Sequence, residues 1–215
     1  MRRSQRNKQR IVILCEGDTE ENAVRYFIWR QWEVDGLTEI GLHTINLDSK
    51  LENVTKYARR YLNESGIVAV FTLVDLYGMN RVQHNAGDDL ATKVNQVKQW
   101  LEEDLPPEMS ERFHSHVSVH EVEAWLLADG HCLAKRLNEK NIKPDPNAET
   151  RNFENPPSRR LKELFKKHGR YDYYKLKDGV PLFKDAKFDT VYKSCSYFRA
   201  FYDGLKTTAQ AHLSN

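Results

Sequence analysis

No stretch of this chain is apolar for the roughly 20 residues that a helix needs to cross a bilayer, so no membrane span is expected. The basic start, MRRSQRNKQR, is followed by one short apolar run, residues 11–15, and then by acids. That order lacks the extended apolar segment of a secretory signal. Cysteine is scarce: Cys15, Cys132 and Cys195 are far apart, odd in number and without zinc-type spacing. A disulfide framework is excluded, and three reduced, partly buried thiols in a cytoplasmic protein are expected. No phosphate-binding G-x-x-x-x-G-K-[ST] loop occurs, which removes nucleotide hydrolysis by that route. The run His120-Glu121-Val122-Glu123-Ala124 lacks the second histidine of a zinc protease. An excess of one charge is missing too. Lys and Arg number 33 against 31 Asp and Glu, so a phosphate-binding surface has to come from clustering.

Such clusters are present. One is the first ten residues; another surrounds Arg159, Arg160, Lys162, Lys166, Lys167 and Arg170. The 215 residues are 40% hydrophobic and 11% aromatic, enough for a real core and too aromatic for a disordered chain.

Apolar periodicity divides the chain. Residues 11–15 read as a buried strand ending at Glu16-Gly17. Asp18 stands three before Glu21, the spacing of a capping box, and a helix over 19–32 is expected. A strand at 41–47 and a helix at 51–62 follow. Residues 67–74, IVAVFTLV, are apolar on both faces except at Thr72, the mark of a strand covered on both sides. That run stops at Asp75, and Gly78 and Asn80 signal a turn. A helix over 88–103, a strand at 117–119 and a helix over 121–127 complete a β-α alternation, which predicts a parallel sheet with helices on both faces. Beyond about residue 130, Pro144, Pro146, Pro156 and Pro157 interrupt a helical stretch of chain. The expected organisation is a basic flexible tail over 1–10, an α/β domain over 11–130 and a helical extension over 131–215 packed on it.

Acids stand at three strand ends: Glu16, Asp75 and Glu121. Open α/β sheets bind ligands at the carboxyl edge of their strands. Clustered carboxylates in a low-dielectric cleft repel, and a hard divalent cation with oxygen preference relieves that repulsion. An ordinary turn residue or helix cap is the competing reading for each acid singly; Asp18 and Glu21 are read as caps.

Several segments resemble a known family. Cys15-Glu16-Gly17-Asp18-Thr19-Glu20 resembles the E-G-x-T-E opening of Toprim domains in nucleases of the overcoming-lysogenization-defect (OLD) type. The stretch from Thr72 through Asp75 to Gly78 resembles the second Toprim motif, and Val119–Asp129 resembles the H-E-F-E-A-W-L-L signature of a bacterial Toprim-like family, domain of unknown function 4276. Asn155-Pro156-Pro157-Ser158-Arg159 and Cys195-Ser196-Tyr197-Phe198 are similar to later segments of that family. The resemblance implies an α/β fold: a Toprim-like parallel sheet flanked by helices, with a C-terminal helical appendage. It implies Mg²⁺ (or Mn²⁺) held by Glu16, Asp75, Glu121 and Glu20, and phosphodiester cleavage of DNA or RNA with Glu16, Glu20 and Asp75 as catalytic groups. It also implies a role in anti-phage defence beside a separately encoded ATPase of the ABC or OLD type. The pattern departs at Tyr77, where the second acid of D-x-D is expected. A non-catalytic module that binds a partner ATPase or nucleic acid is the alternative.

Glu121 and Glu123, two apart on an expected helix, diverge, and Glu121 is preferred as the ligand. Glu123, His120 and Tyr77 are candidates for the surrounding layer. Arg159, Arg160, Lys162 and Lys175 are candidates for nucleic-acid contact, with Ser158 expected to cap a helix beneath the first three. Tyr171, Tyr173 and Tyr174 suit either base stacking or packing. His114 and His116 are expected as exposed loop histidines. A homo-oligomer is compatible with the sequence.

Overall fold

The computed structural model describes residues 9–76, 79, 81–150, 153–169 and 171–214. The basic tail as far as Lys8, Tyr77, the expected turn at Gly78 and Asn80, and Arg170 lie outside the described residues.

β1 (Arg10–Cys15) is central and pairs in parallel with β2 (Gly41–Asn46) on one side and β3 (Ile67–Asp75) on the other. Two short segments, β4 (Phe113–His114) and β5 (Val117–Ser118), pair in parallel with β3. Val70 faces Phe113 and Val74 faces Val117, so β4 and β5 keep one register and form an interrupted edge strand. Thr72 fills the interruption. Its hydroxyl donates to the His116 carbonyl at 2.9 Å and accepts from the His116 N–H at 2.8 Å. That pair of bonds accounts for the single polar residue in an otherwise apolar strand.

Side chains alternate across the sheet. Ile11, Ile13, Cys15, Phe71 and Leu73 face one layer; Val12, Leu14, Val70 and Val74 face the other. The second layer is α3 (Val54–Leu62) and α4 (Leu90–Glu102), whose Val54, Ala58, Val94 and Val97 complete that core. The first layer starts with α1 (Asp18–Ala23), a π-helical turn (Val24–Ile28) and α2 (Trp29–Val34), which follow one another without a break. It continues with α5 (Glu123–Ala128), α6 (Gly130–Leu137), α7 (Pro157–Leu164), α8 (Lys175–Asp185), α9 (Phe188–Ser194) and α10 (Ser196–Leu213). Phe27 of the π-helical turn ties these pieces together, 6.1 Å from Trp125 and 5.4 Å from Phe198 between ring centroids. Burial on both faces is why β1 and β3 read as continuous apolar runs.

The fold class is the one expected: a parallel α/β sheet with helices on both faces. Cys15, Cys132 and Cys195 are buried free thiols. Among the described residues no helix is long and apolar enough to cross a membrane.

Three local expectations are corrected. The capping box is one residue earlier: Gly17 is the N-cap, and Glu20, not Glu21, reaches back to it. Asp18 instead accepts from Asn46 Nδ2 at 2.6 Å, and Glu21 pairs with Arg25. Ser158 is not a cap, because Pro156 precedes the first turn of α7 and Ser158 lies inside it. The histidines are not exposed. His114 stacks on Phe71 at 4.4 Å, and His116 is buried 4.7 Å from the Phe201 ring. Burial pushes the His116 imidazole down to about 3, so it is neutral.

Candidate functional site

The carboxyl ends of β1 and β3 adjoin, and the chain uses that adjacency at once. Glu16 extends β1 by donating its N–H to the Leu73 carbonyl at 3.2 Å, and its Oε2 accepts the Asp75 N–H at 3.1 Å. Gly17 then turns the chain into α1, where Glu20 Oε2 accepts the Gly17 N–H at 2.9 Å. One capping bond thus fixes Glu20 beside Glu16. A cleft of about 400 Å³ opens here, lined by Glu16, Thr19, Glu20, Ser49, Asp75 and Glu121, with Lys175 and Leu176 on the far wall.

The far wall depends on α8. Asp178, fully buried, accepts the Tyr174 N–H at 2.9 Å and pairs with Arg136 at 2.8 Å, which locks the start of the helix. Lys175, the first residue of α8, then lays its Nζ 3.1 Å from Glu121 Oε1 and 3.2 Å from Glu123 Oε1. The expectation that Glu121 and Glu123 diverge is therefore corrected. Helix α5 begins at Glu123, Glu121 precedes it in a loop, and both side chains meet the same ammonium. Glu121 Oε2 also accepts the Ser158 N–H at 2.9 Å, a use of the Pro-Pro-Ser segment that the sequence did not show.

The electrostatics are those of crowded acids. Burial pushes the Asp75 carboxyl well above its usual range, and Glu16, Glu20, Glu121 and Glu123 add to the effect. Glu16 is raised by burial against the lowering pull of the Asp75 N–H and Lys175. Glu20 is pushed up to about 7 by burial and by Glu123. Glu121 goes the other way: burial opposes its charge, but Lys175 and Ser158 outweigh it and hold it low. Lys175, whose charge burial opposes, is held above its ordinary range by Glu123 and Glu121.

Two fully or nearly buried glutamates show what is unusual here. Glu149 is saturated, accepting from the Tyr197 and Phe198 N–H groups at 2.9 Å each and from Trp125 Nε1 at 3.3 Å. Glu123 has no exposure and no hydrogen-bonded partner within the described residues beyond its ion pair with Lys175. A buried carboxylate of the first kind is structural; one left with an uncommitted oxygen beside a cleft is a ligand-binding candidate.

The other expected residues are dispersed. His120 is buried and stacks on Phe153 at 4.5 Å. Arg160 is turned inward against Asp145, its side chain 15% exposed. Arg159 and Lys162 are exposed on α7, and Lys175 belongs to the acidic cleft. Tyr173 is buried, whereas Tyr174 is exposed. Sequence reasoning passed over Ser49 and Leu176. Ser49 follows the end of β2, so the strand-edge argument applied to a fourth strand finds it; Leu176 carried no signal beyond adjacency to Lys175.

A family model for domain of unknown function DUF4276 matches residues 15–206. The chain belongs to that family. The match spans the cleft from Glu16 to Lys175 and the helices that cover it. Among solved structures, the C-terminal region of the Burkholderia pseudomallei OLD protein is similar, with 19% identity, a TM-score of 0.41, and coverage of 89% of this chain and 98% of that one. Comparison with curated proteins gives no match.

The donor chemistry suits a hard divalent cation: of five carboxylates, Glu16, Glu20, Asp75 and Glu123 are raised above their usual range, by burial first and by their acidic neighbours second. As the side chains stand, no three His, Cys, Asp or Glu groups among the described residues converge as a ready-made metal cage. Lys175 draws Glu121 and Glu123 to one side, and the Gly17 N–H holds Glu20.

Proposed function

We propose that this protein is a Toprim-like, divalent-metal-dependent phosphodiester hydrolase acting on DNA or RNA. The observation that supports the reading best is the set of buried carboxylates at the carboxyl edge of the sheet, with the Glu16 carboxylate accepting the Asp75 N–H and Glu20 raised to about 7. Glu16, Glu20 and Asp75 would hold one Mg²⁺ or Mn²⁺, and Glu121, which lines the same cleft, would contribute a further oxygen. The ion would polarise a phosphoryl oxygen and lower the pKa of an attacking water.

The chain's own groups then have separate tasks. Burial raises both Asp75 and Glu16, and the neighbouring acids add to it, so either would take up a proton more readily than an exposed carboxylate. Lys175 presents a permanent cation to a phosphate entering the cleft. Tyr174 and Leu176, 57% and 55% exposed beside Lys175, offer apolar surface to the nucleoside. Arg159 and Lys162 extend the basic surface toward the flanking backbone. Within the resemblance to OLD-type nucleases, the chain would serve anti-phage defence together with an ATPase partner.

The second reading, a non-catalytic binding module, draws on the ion pairs of Lys175, which already neutralise Glu121 and Glu123 without a metal. One assay separates them. The protein, alone and with a cognate ATPase, is incubated with plasmid, single-stranded DNA and RNA in Mg²⁺, Mn²⁺ or EDTA. Metal-dependent cleavage that falls at least about 100-fold in Glu16→Ala and in Asp75→Ala is expected. Absence of cleavage under every condition sinks the hydrolase.

A further inference from the structure

Among the described residues, no strand pairs with the outer side of β2. Gly41 donates its N–H to the Gln9 carbonyl at 2.8 Å, and Leu47 donates to the Cys15 carbonyl at 2.9 Å. Residues of a ladder alternate, so Gly41, His43 and Ile45 face β1, while the N–H and C=O groups of Leu42, Thr44 and Asn46 point outward. Folded proteins blunt such edges with lysine, proline, bulges or very short strands. The opposite edge of this sheet is blunted. β4 and β5 have two residues each, and Arg112 donates to the carbonyls of Leu62, Ile67 and Val68. β2 has no such device. Its six residues, GLHTIN, keep unbroken register with β1 and include no lysine, proline or acid. Burial, then Arg10, holds the His43 imidazole below its ordinary value, so this edge is uncharged at neutral pH.

The charges beside the edge are ordered so that they complement themselves. At the carboxyl end of β2, the exposed Asp18 accepts from Asn46 Nδ2 at 2.6 Å. Level with Thr44, Glu21 accepts the Thr44 hydroxyl at 3.3 Å and pairs with Arg25 of its own chain at 3.2 Å. At the amino end, Arg25, its side chain 58% exposed, lines a groove of about 330 Å³ with Trp29, Leu42 and Thr44. Antiparallel pairing of two β2 strands about Thr44 sets Leu42 against Asn46 of the second copy. It thereby sets Arg25 against Asp18 of the second copy, and the two-fold repeats the contact. A guanidinium has donors enough for Glu21 and the incoming Asp18 together. Helix spacing agrees. α1 lies over β1 and β2. With strands about 4.8 Å apart, the α1 helices of two paired copies run about 10 Å apart, a packing distance for helices.

We propose that β2 is a dimerisation edge, on which a second copy of this chain pairs antiparallel with Thr44 at the two-fold axis and the two sheets become one. Leu42, Thr44 and Asn46 then exchange backbone bonds with the second copy. Asp18 also lines the acidic cleft, so the second copy brings its Arg25 to the mouth of that cleft. The two clefts open at opposite ends of the joined sheet. The dimer does not depend on the hydrolytic reading of the cleft.

The test is sedimentation equilibrium of the full chain over about 1–100 μM, where micromolar association is read. A species of twice 25.2 kDa is expected. Thr44→Pro removes an N–H that faces outward, a position at which an edge strand accepts proline. The variant is expected to be a monomer with the near-ultraviolet circular dichroism of the parent. Arg25→Glu and Asp18→Arg each oppose like charges across the interface, and each alone weakens self-association about tenfold or more. Mixing these two variants restores association, because each presents the charge that the other requires. That rescue stands whether or not Thr44→Pro folds, and it reports the antiparallel register. A parent that stays monomeric across the range overturns the dimer and leaves the edge to a strand of another protein. A dimer that survives a folded Thr44→Pro overturns it by placing the interface elsewhere. A mixture that associates no better than its components overturns the pairing of Arg25 with Asp18, and the proposed register with it.

Discussion

Glu20 carries two duties that separate cleanly with pH. Its carboxylate accepts the Gly17 N–H, and its charge sits among other buried acids that push it up to about 7. A group whose native pKa lies above its unfolded value near 4.5 binds protons more tightly when folded. It costs nothing below the unfolded pKa, and the cost grows as pH rises to about 7, reaching about 3 kcal/mol. Glu20→Gln keeps the capping oxygen and removes the charge. The variant is expected to be more stable than the parent at pH 8 by up to about 3 kcal/mol and nearly equal at pH 4.5, read by urea denaturation across that range. Lys175→Met acts in the opposite sense. It leaves Glu121 and the fully buried Glu123 without their cation. Breaking a buried pair costs about 3–5 kcal/mol; Lys175 is 46% exposed, so a loss near the lower end is expected. Millimolar Mn²⁺ is expected to recover part of that loss, as a shift in urea midpoint, if the same carboxylates accept a metal. These residues were legible to different degrees. Glu16, Glu20, Asp75 and Glu121 are visible as acids at strand ends and on one helical turn. The role of Lys175 is not, because it reaches the site from a helix more than fifty residues beyond Glu121, and no local pattern reports a contact of that range.

At the scale of elements, β-α alternation and apolar runs located the strands and helices because each buries a face in one of two cores. The missed strand, β4, is two residues long and too short to show a period. What holds that edge is the Thr72 hydroxyl, the polar exception in IVAVFTLV. Thr72→Val conserves shape and removes both bonds to His116. With a buried N–H and carbonyl left unpaired, a loss of about 1–3 kcal/mol is expected in denaturant unfolding. The edge strand also leads directly to Glu121, so hydrolysis, where present, is expected to fall further than stability alone accounts for. The reversal at Glu121 and Glu123 has a similar origin: a helix start two residues later than the pattern suggests turns an argument about opposite helix faces into a shared ion pair. Boundaries of that size are what apolar periodicity defines least well.

The whole molecule is divided by its sequence but not by its core. Proline and polar residues after about residue 130 mark a helical extension expected to pack on the sheet, and Phe183, Val191, Phe198, Phe201, Tyr202 and Leu205 are buried in the same cluster as Ile11, Ile13 and Phe71 of the sheet. Removing them uncovers one face of β1 and β3. Each such side chain contributes about 1.5–3 kcal/mol by burial, so the six together represent about 9–18 kcal/mol. That matches or exceeds the entire net stability of a domain, about 5–15 kcal/mol. A fragment ending at residue 137 is therefore expected not to fold on its own. It should lack near-ultraviolet circular dichroism and a cooperative unfolding transition, whereas the full chain should unfold in one step by near- and far-ultraviolet signals alike. A fragment that unfolds cooperatively would restore the boundary suggested by the prolines. The same dependence reaches the cleft: α8, part of the covering layer, delivers Lys175 to Glu121 and Glu123, so the acidic site is completed only when the later third of the chain has packed onto the sheet.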